Sequence, residues 1–241
     1  MDDLTRADGT RIAVRRHDGA VPAILFLPGN ASDMTGAKAL ALDDWAARTG
    51  RAFVRFDYGG CGESEGAFAE QGLENWFGDA LAVLDATPGQ VVLVGSSMGG
   101  WLALLVAMVR PARIAALIGI AAAPDFTDWG FTEAEKTQLM RGQALIRPSA
   151  YGPPLVTTAR FWGSGQAMRL PRGEIAIDCP VRLLHGQADP DVPWEKSIAL
   201  AERLRSPDVQ VNLVKDGDHR LSRPQDIALL IATIEGLTPA P

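Results

Sequence analysis

The sequence predicts an α/β fold, in which a mostly parallel central sheet carries helices on both faces. Short apolar runs, of the kind found in strands buried on both sides, alternate along the chain with longer segments whose apolar residues recur every three or four positions. Strand–helix alternation of this kind is typical of an open parallel sheet. The chain has 241 residues, 47% of them hydrophobic, so we expect residues 1–241 to form a single domain.

Seven segments have the apolar and β-branched character of strands: Arg11–Arg16 (an edge strand), Ala23–Leu27, Ala52–Phe56, Val91–Val94, Ile114–Ile120, Val181–Leu184 and Val209–Val214. Five segments between and after them have helical periodicity: Leu40–Thr49, Leu73–Leu84, Met98–Val109, Pro193–Leu204 and Pro224–Leu237. The third helix is almost wholly apolar, which indicates burial against the sheet. The last two begin with proline, which is favoured in the first turn of a helix.

The stretch from Asp125 to about Ile177 interrupts this alternation, because it contains no clear buried strand. It holds one polar helix candidate, Thr132–Gly142, and then a run rich in proline and glycine. About fifty irregular residues inside a compact domain usually form a functional lid. We therefore expect a lid insertion over about residues 125–177.

Composition excludes several classes of protein. Lysine and arginine number 23 against 29 aspartates and glutamates, a net charge of −6 that argues against a dedicated nucleic-acid binder. Two cysteines and three histidines are too few for a disulfide scaffold or a cysteine-rich zinc site. No apolar run approaches the roughly 18 residues of a membrane span, and the acidic start lacks the features of a signal or transit peptide. We expect a cytoplasmic protein without integral membrane association; its oligomeric state stays open.

The strongest chemical motif is G-x-S-x-G at Gly95–Gly99, between the fourth strand and the apolar helix. This is the context of a nucleophile elbow, in which small residues permit a tight turn and the serine hydroxyl stands clear at the sheet edge. The following helix N-terminus favours an anionic intermediate. The motif alone would equally suit an ordinary tight turn, but its position between strand and helix favours Ser97 as a nucleophile.

Candidate acids and a candidate base follow the last two strands. Asp189 and Asp191 both come shortly after the sixth strand, and their spacing does not separate them. His219 follows the seventh strand and completes the chain order serine, acid, histidine, so it is the candidate general base. His185 ends the sixth strand, where we expect a buried structural side chain.

Backbone N–H groups must also stabilise an oxyanion, and those of Asn30 and Met98 are the expected pair. The Asn30 segment would equally suit an ordinary Pro-Gly turn. Aromatic side chains of the lid either line an acyl pocket or pack the lid onto the core; they are Trp129, Phe131, Tyr151, Phe161 and Trp162.

The chain resembles the α/β-hydrolase superfamily over nearly its whole length. It resembles the abhydrolase-domain-containing protein 10 family more closely in six segments: Gly36–Leu42, Phe53–Tyr58, Val94–Leu102, Arg147–Tyr151, Cys179–Gly186 and Asp218–Arg220. That family includes palmitoyl-protein thioesterase and mycophenolic acid acyl-glucuronide esterase activity. The resemblance implies Ser97 as nucleophile, Asp189 rather than Asp191 as acid, and His219 as base. Around Tyr151–Leu155 the lid departs from the family. Because no transit peptide precedes Leu4, we expect a bacterial relative.

Together these features predict a serine carboxylesterase or thioesterase that cleaves a small-molecule acyl ester or thioester through an acyl-enzyme on Ser97, without metal or organic cofactor. Two alternatives stay open. The same residues would act as an acyltransferase if the lid excluded water and admitted an alcohol or amine. The chain would also fit a non-catalytic ligand-binding protein on a hydrolase fold, although the complete set of Ser97, Asp189 and His219 argues against it.

Overall fold

The computed structural model describes residues 3–149 and 154–238. The strands are β1 (Leu4–Thr5), β2 (Arg11–Ile12), β3 (Val14–His17), β4 (Ala20–Leu27), β5 (Arg51–Phe56), β6 (Val91–Ser96), β7 (Ile114–Ile120), β8 (Leu145–Arg147), β9 (Leu155–Thr157), β10 (Val181–Gly186) and β11 (Val209–Val214). The α-helices are α1 (Ala37–Thr49), α2 (Leu73–Asp85), α3 (Met98–Val109), α4 (Phe126–Trp129), α5 (Glu133–Met140), α6 (Ala159–Ala167), α7 (Glu195–Arg203) and α8 (Pro224–Glu235).

Seven strands form the central sheet in the order β11-β10-β7-β6-β4-β5-β3. Neighbouring strands are parallel except at one edge, where β3 pairs antiparallel with β5. The α/β fold with a mostly parallel sheet is therefore confirmed. The predicted edge strand Arg11–Arg16 is divided at Ala13 into β2, which pairs with β1, and β3, which joins the sheet.

Both faces of the sheet are covered, because successive residues of a strand point to opposite sides. In β4, Leu25 belongs to a core that includes residues of α2, α3 and α7, whereas Ile24 belongs to a second core that includes residues of α1 and α8. Both side chains are fully buried. This explains why the strands are apolar at consecutive positions rather than alternately apolar and polar.

The carboxyl ends of the parallel strands meet at one edge of the sheet. Asn30 follows β4, Ser97 follows β6, Asp189 follows β10 and His219 follows β11. Residues far apart in the sequence are thus brought to one edge, which is where open α/β sheets bind ligands.

The segment from Asp125 to Ile177 is more regular than the sequence predicted. It contains three helices, α4, α5 and α6, and the antiparallel pair β8 and β9. The helix α6 was missed because two glycines lower its intrinsic helix propensity. Gly165 is needed for packing, since a Cβ there would lie 2.4 Å from Cγ2 of Thr127. Within the described ranges, no helix is both long enough and apolar enough to cross a membrane.

A buried ion pair fastens the N-terminal segment to α2. Arg6 Nε and one terminal nitrogen each donate to a carboxylate oxygen of Asp79 at 2.5 Å, and the Gly59 N–H donates to the same carboxylate at 2.9 Å. The Asp79 side chain is fully buried and that of Arg6 is 15% exposed. Removal of one partner would leave the other charge buried without compensation.

We therefore expect Asp79→Ala to lower the free energy of unfolding by about 3–5 kcal/mol, because it leaves the Arg6 guanidinium mostly buried without its carboxylate partner. Arg6→Ala combined with Asp79→Ala should cost less than the sum of the two single substitutions. Urea unfolding of all four proteins in a double-mutant cycle measures both effects. Strict additivity would show that the pair contributes no coupling.

Candidate active site

Ser97 lies alone in the turn between β6 and α3, where its backbone adopts φ 55° and ψ −118°. A positive φ is strained for a residue with a Cβ, so the surrounding structure must hold it. The Ser97 N–H donates to the Ile120 carbonyl at 2.9 Å. Its own carbonyl accepts from the N–H groups of Gly100 and Ala123 at 2.9 and 3.1 Å. These bonds anchor the turn to β7 and α3.

Glycine is required on both sides of Ser97 because backbone segments touch there. A Cβ on Gly99 would lie 2.1 Å from the carbonyl oxygen of Leu27, and a Cβ on Gly95 would lie 2.3 Å from the carbonyl oxygen of Gly99. Real atoms do not approach so closely. As expected from the motif, the two glycines let β4, β6 and α3 pack backbone against backbone.

The structure joins Ser97, His219 and Asp189 in one hydrogen-bonded chain. His219 Nε2 lies 3.1 Å from Ser97 Oγ, and His219 Nδ1 lies 2.8 Å from Asp189 Oδ2. The Asp189 side chain is fully buried, whereas 17% of the His219 side chain is exposed. A solvent-accessible imidazole is thus held between a buried carboxylate and a hydroxyl.

Geometry separates the two candidate acids. The Asp189 carboxylate faces His219, while Asp191 is exposed and donates its backbone N–H to Asp189 Oδ1 at 2.8 Å. Val192 N–H donates to the same oxygen at 2.9 Å. Asp191 therefore contacts the other aspartate through its backbone, and its side chain is not needed for that bond.

The Asp189 carboxylate is strongly stabilised as an anion. Burial by itself raises its pKa, but hydrogen bonds from His185, His219 and Val192, with the charge of a protonated His219, outweigh burial and hold the pKa of Asp189 well below its ordinary value. Asp189 is consequently ionised at neutral pH and accepts in all of these bonds.

One group of side chains among the described residues has ligand atoms close enough for a metal ion. Asp189, Asp191 and His219 each offer an atom within 4.8 Å of the others. The Asp189 and His219 side chains are already hydrogen-bonded to each other, so a metal there would compete with that bond. We assign no metal to this group.

The loop that carries His219 is fixed from within and from α1. The Asp218 carboxylate accepts from the N–H groups of Arg220 and Leu221 at 3.1 and 2.9 Å. Lys38 Nζ donates to the Arg220 carbonyl. Burial, and then the Arg220 charge, lower the pKa of Lys38 to about 8. No sequence motif had indicated this contact.

Asn30 and Met98, the expected oxyanion donors, both lie beside Ser97. Met98 is the first residue of α3, and a Cβ on Gly29 would lie 3.4 Å from Ser97 Cβ, so the loop after β4 runs alongside the serine. Among the described residues, neither the Asn30 N–H nor the Met98 N–H has a protein acceptor.

Comparison with known proteins agrees with this architecture. A family model described as the alpha/beta hydrolase fold matches residues 22–145. The mouse mitochondrial palmitoyl-protein thioesterase ABHD10 is 42% identical over 97% of this chain and 81% of its own length. The human protein of the same name is 40% identical over 97% of this chain and 78% of its own length. The chain belongs to the ABHD10 family of α/β hydrolases.

Two solved structures extend the likeness to the whole fold. Mouse alpha/beta hydrolase domain-containing protein 10 has a TM-score of 0.91 at 40% identity, covering 98% of this chain and 97% of its own. A putative hydrolase from Agrobacterium vitis has a TM-score of 0.92 at 40% identity, covering 99% and 98%. The predicted family is therefore confirmed.

The expectation of a cytoplasmic protein was wrong, because the mouse, rat, bovine and human relatives are all named as mitochondrial. That expectation rested on composition and on an acidic first segment. Neither is a guide to the compartment, because location is encoded in address segments and not in the chemistry of a folded domain.

Two of the candidate pocket aromatics are used in packing. Phe161 is buried, with its ring centroid 5.3 Å from that of Trp76 and 5.8 Å from that of Phe126. Phe131 is buried beneath the Arg147 guanidinium, which lies 4.5 Å from the ring centroid. These contacts fasten the segment over about residues 125–177 to the core and to itself.

Trp129 and Trp162 are half-buried. The Trp162 indole N–H donates to the Thr127 carbonyl at 2.8 Å. Trp129 donates to the Pro124 carbonyl at 2.8 Å, and Lys196 Nζ lies 4.7 Å from its ring centroid. The remaining aromatic candidate, Tyr151, lies outside the described residues.

Sequence reasoning missed a further contact at the acid. His185 is fully buried, as expected, yet its Nε2 lies 3.2 Å from Asp189 Oδ2. Its position four residues before Asp189, at the end of a strand, was the available signal. Ser197 Oγ lies 2.7 Å from His185 Nδ1, and no sequence signal had indicated this contact.

The close packing around Ser97 predicts that a side chain at position 99 destabilises the fold. We expect Gly99→Ala to lower the free energy of unfolding by about 1–3 kcal/mol, because the new methyl group overlaps the Leu27 carbonyl. Gly78→Ala in α2 is the matched control: nothing lies within 4 Å of its added Cβ, and it should stabilise by about 0.5–1 kcal/mol. Equal unfolding midpoints in urea would contradict the close packing.

Proposed function

We propose that this chain hydrolyses carboxylic thioesters and esters through a covalent acyl-enzyme on Ser97. The observation that carries the proposal is the hydrogen-bonded chain from Ser97 Oγ through His219 to Asp189, built on a strained strand–helix turn. The relatives named palmitoyl-protein thioesterase favour long-chain acyl thioesters as the substrate class.

Acylation begins with His219 neutral and its hydrogen on Nδ1, facing Asp189. The free Nε2 then accepts the proton of Ser97 Oγ as that oxygen attacks the acyl carbonyl. The C–S or C–O bond to the leaving group breaks, and His219 returns the proton to the departing thiolate or alkoxide. In the second half-reaction, His219 takes a proton from water as the water oxygen attacks the acyl carbonyl. The bond between the acyl carbon and Ser97 Oγ then breaks, His219 returns the proton to Oγ, and the carboxylic acid leaves.

Asp189 and the backbone donors act without exchanging protons. The buried carboxylate keeps the hydrogen of His219 on Nδ1 and stabilises the imidazolium that forms during attack. The Met98 and Asn30 N–H groups bind the developing oxyanion, aided by the N-terminus of α3. Loss of one such donor typically slows the reaction by about 10²–10³-fold.

The segment over about residues 125–177 acts as the lid of a single 1–241 domain in this proposal. Its inner aromatic contacts hold it against the core. Trp129 and Trp162, which keep exposed surface, are the best candidates to contact the acyl group. Phe131 and Phe161 would then support the pocket from behind.

Ser97→Ala tests the nucleophile directly. We expect its hydrolysis of acyl-CoA thioesters and of p-nitrophenyl esters with two to sixteen carbons to fall by about 10⁴-fold or more, because no acyl-enzyme can form. Ser96→Ala, one residue earlier, is the matched control and should retain activity. A fluorophosphonate probe should label the wild type and Ser96→Ala. Activity or labelling in folded Ser97→Ala would refute the proposal.

The two aspartates should differ sharply in kinetics. We expect Asp189→Asn to lower kcat by about 10⁴-fold, because an amide can donate to His219 and favour the wrong tautomer. Asp191→Asn keeps the backbone N–H that bonds Asp189 and should stay within a few-fold of wild type. Steady-state kinetics at neutral pH measures kcat for both variants. If kcat falls further in Asp191→Asn than in Asp189→Asn, Asp191 is the acid and the proposed role of Asp189 is wrong.

A further inference from the structure

The hydrogen-bonded chain does not end at Asp189. His185, the penultimate residue of β10, and Ser197, in the first turn of α7, are 0% and 1% exposed. His185 Nε2 lies 3.2 Å from Asp189 Oδ2, the same oxygen that bonds His219. His185 Nδ1 lies 2.7 Å from Ser197 Oγ. The carboxylate is therefore held between two imidazoles.

The neighbours of His185 determine where its hydrogen lies. Nε2 faces two acceptors, the Asp189 carboxylate and the Val192 carbonyl, the latter at 3.0 Å. A carboxylate and a carbonyl can only accept, so Nε2 carries the hydrogen. In a ring with one hydrogen, Nδ1 then accepts from the Ser197 hydroxyl. Ser197 thereby favours the tautomer in which His185 donates to Asp189.

His185 acts on both oxygens of the carboxylate. It bonds Oδ2 directly. It also bonds the backbone of Val192, a residue whose carbonyl accepts from His185 and whose N–H donates to Asp189 Oδ1. A side chain that merely filled space would provide neither restraint.

We propose that His185, with its tautomer set by Ser197, is a positioning residue that holds the Asp189 carboxylate in the orientation in which Oδ2 faces His219. This inference rests on the proposed function, because orientation of Asp189 matters kinetically only if His219 serves as base. His185 contacts no reacting atom, so it acts through Asp189 alone.

Substitutions at His185 separate orientation from packing. His185→Leu fills the site without a donor, and we expect kcat to fall by about 10²-fold with KM within a few-fold of wild type. His185→Gln places an amide N–H where Nε2 lies and should recover kcat to within about tenfold of wild type. His17→Gln alters a histidine–aspartate pair at the exposed end of β3 and should have no effect.

The pH profile provides a readout that a purely structural role would not move. A carboxylate free to turn away stabilises the imidazolium less, so the acid limb of kcat/KM should move to lower pH in His185→Leu and return in His185→Gln. An unmoved limb, or one that moves to higher pH, would overturn the proposal. The proposal would also be overturned if kcat of His185→Gln were no higher than kcat of His185→Leu.

Ser197→Ala covers the case in which His185→Leu does not fold. It removes a single hydroxyl, leaves His185 Nδ1 without its donor, and should lower kcat by about tenfold. Wild-type kcat in that variant would overturn the proposed role of Ser197, and with it the tautomer argument. Ser97→Ala distinguishes failure of this inference from failure of the proposed function. If Ser97→Ala retains activity, the proposed function is wrong. If Ser97→Ala is inactive and His185→Leu is fully active, only the role inferred for His185 is wrong.

Discussion

The backbone at Ser97 can hold a positive φ only because β4, β6 and α3 close tightly around it. Gly95 and Gly99 make that closure possible, since a methyl group at either position would overlap a carbonyl oxygen. Parallel pairing in the order β11-β10-β7-β6 places the carboxyl ends of these strands at one edge, so the loops after β10 and β11 reach the serine. The turn that presents Ser97 therefore depends on a steric constraint.

Charge in the site is concentrated on one carboxylate. Asp189 accepts two backbone N–H groups on Oδ1 and two imidazoles on Oδ2, which leaves it little freedom to turn and little affinity for a proton. His219 is held less tightly and remains partly exposed. This division suits the proposed reaction, in which the carboxylate stays fixed and ionised while the histidine moves the proton.

The described part of residues 125–177 shows that packing can outweigh local sequence preferences. Two glycines argue against a helix at α6, yet the helix forms because Gly165 lets it lie directly on Thr127 of α4. The lid aromatics could not be sorted from the sequence, because an aromatic residue suits a pocket and a core equally well. Only the contacts of Phe161 with Trp76 and Phe126 show that this ring is used for packing.

By itself, the sequence determined the strands of the central sheet, the helices that cover it and the turn at Ser97, because periodicity and glycine placement are local properties of the chain. The sequence also placed His219 on the loop after the last strand. Which of Asp189 and Asp191 faces His219, and the contact of His185 with Ser197, were decided only by the tertiary structure. Asp189 and His219 are 30 residues apart, and their contact depends on how two loops meet at the sheet edge, which no local pattern encodes.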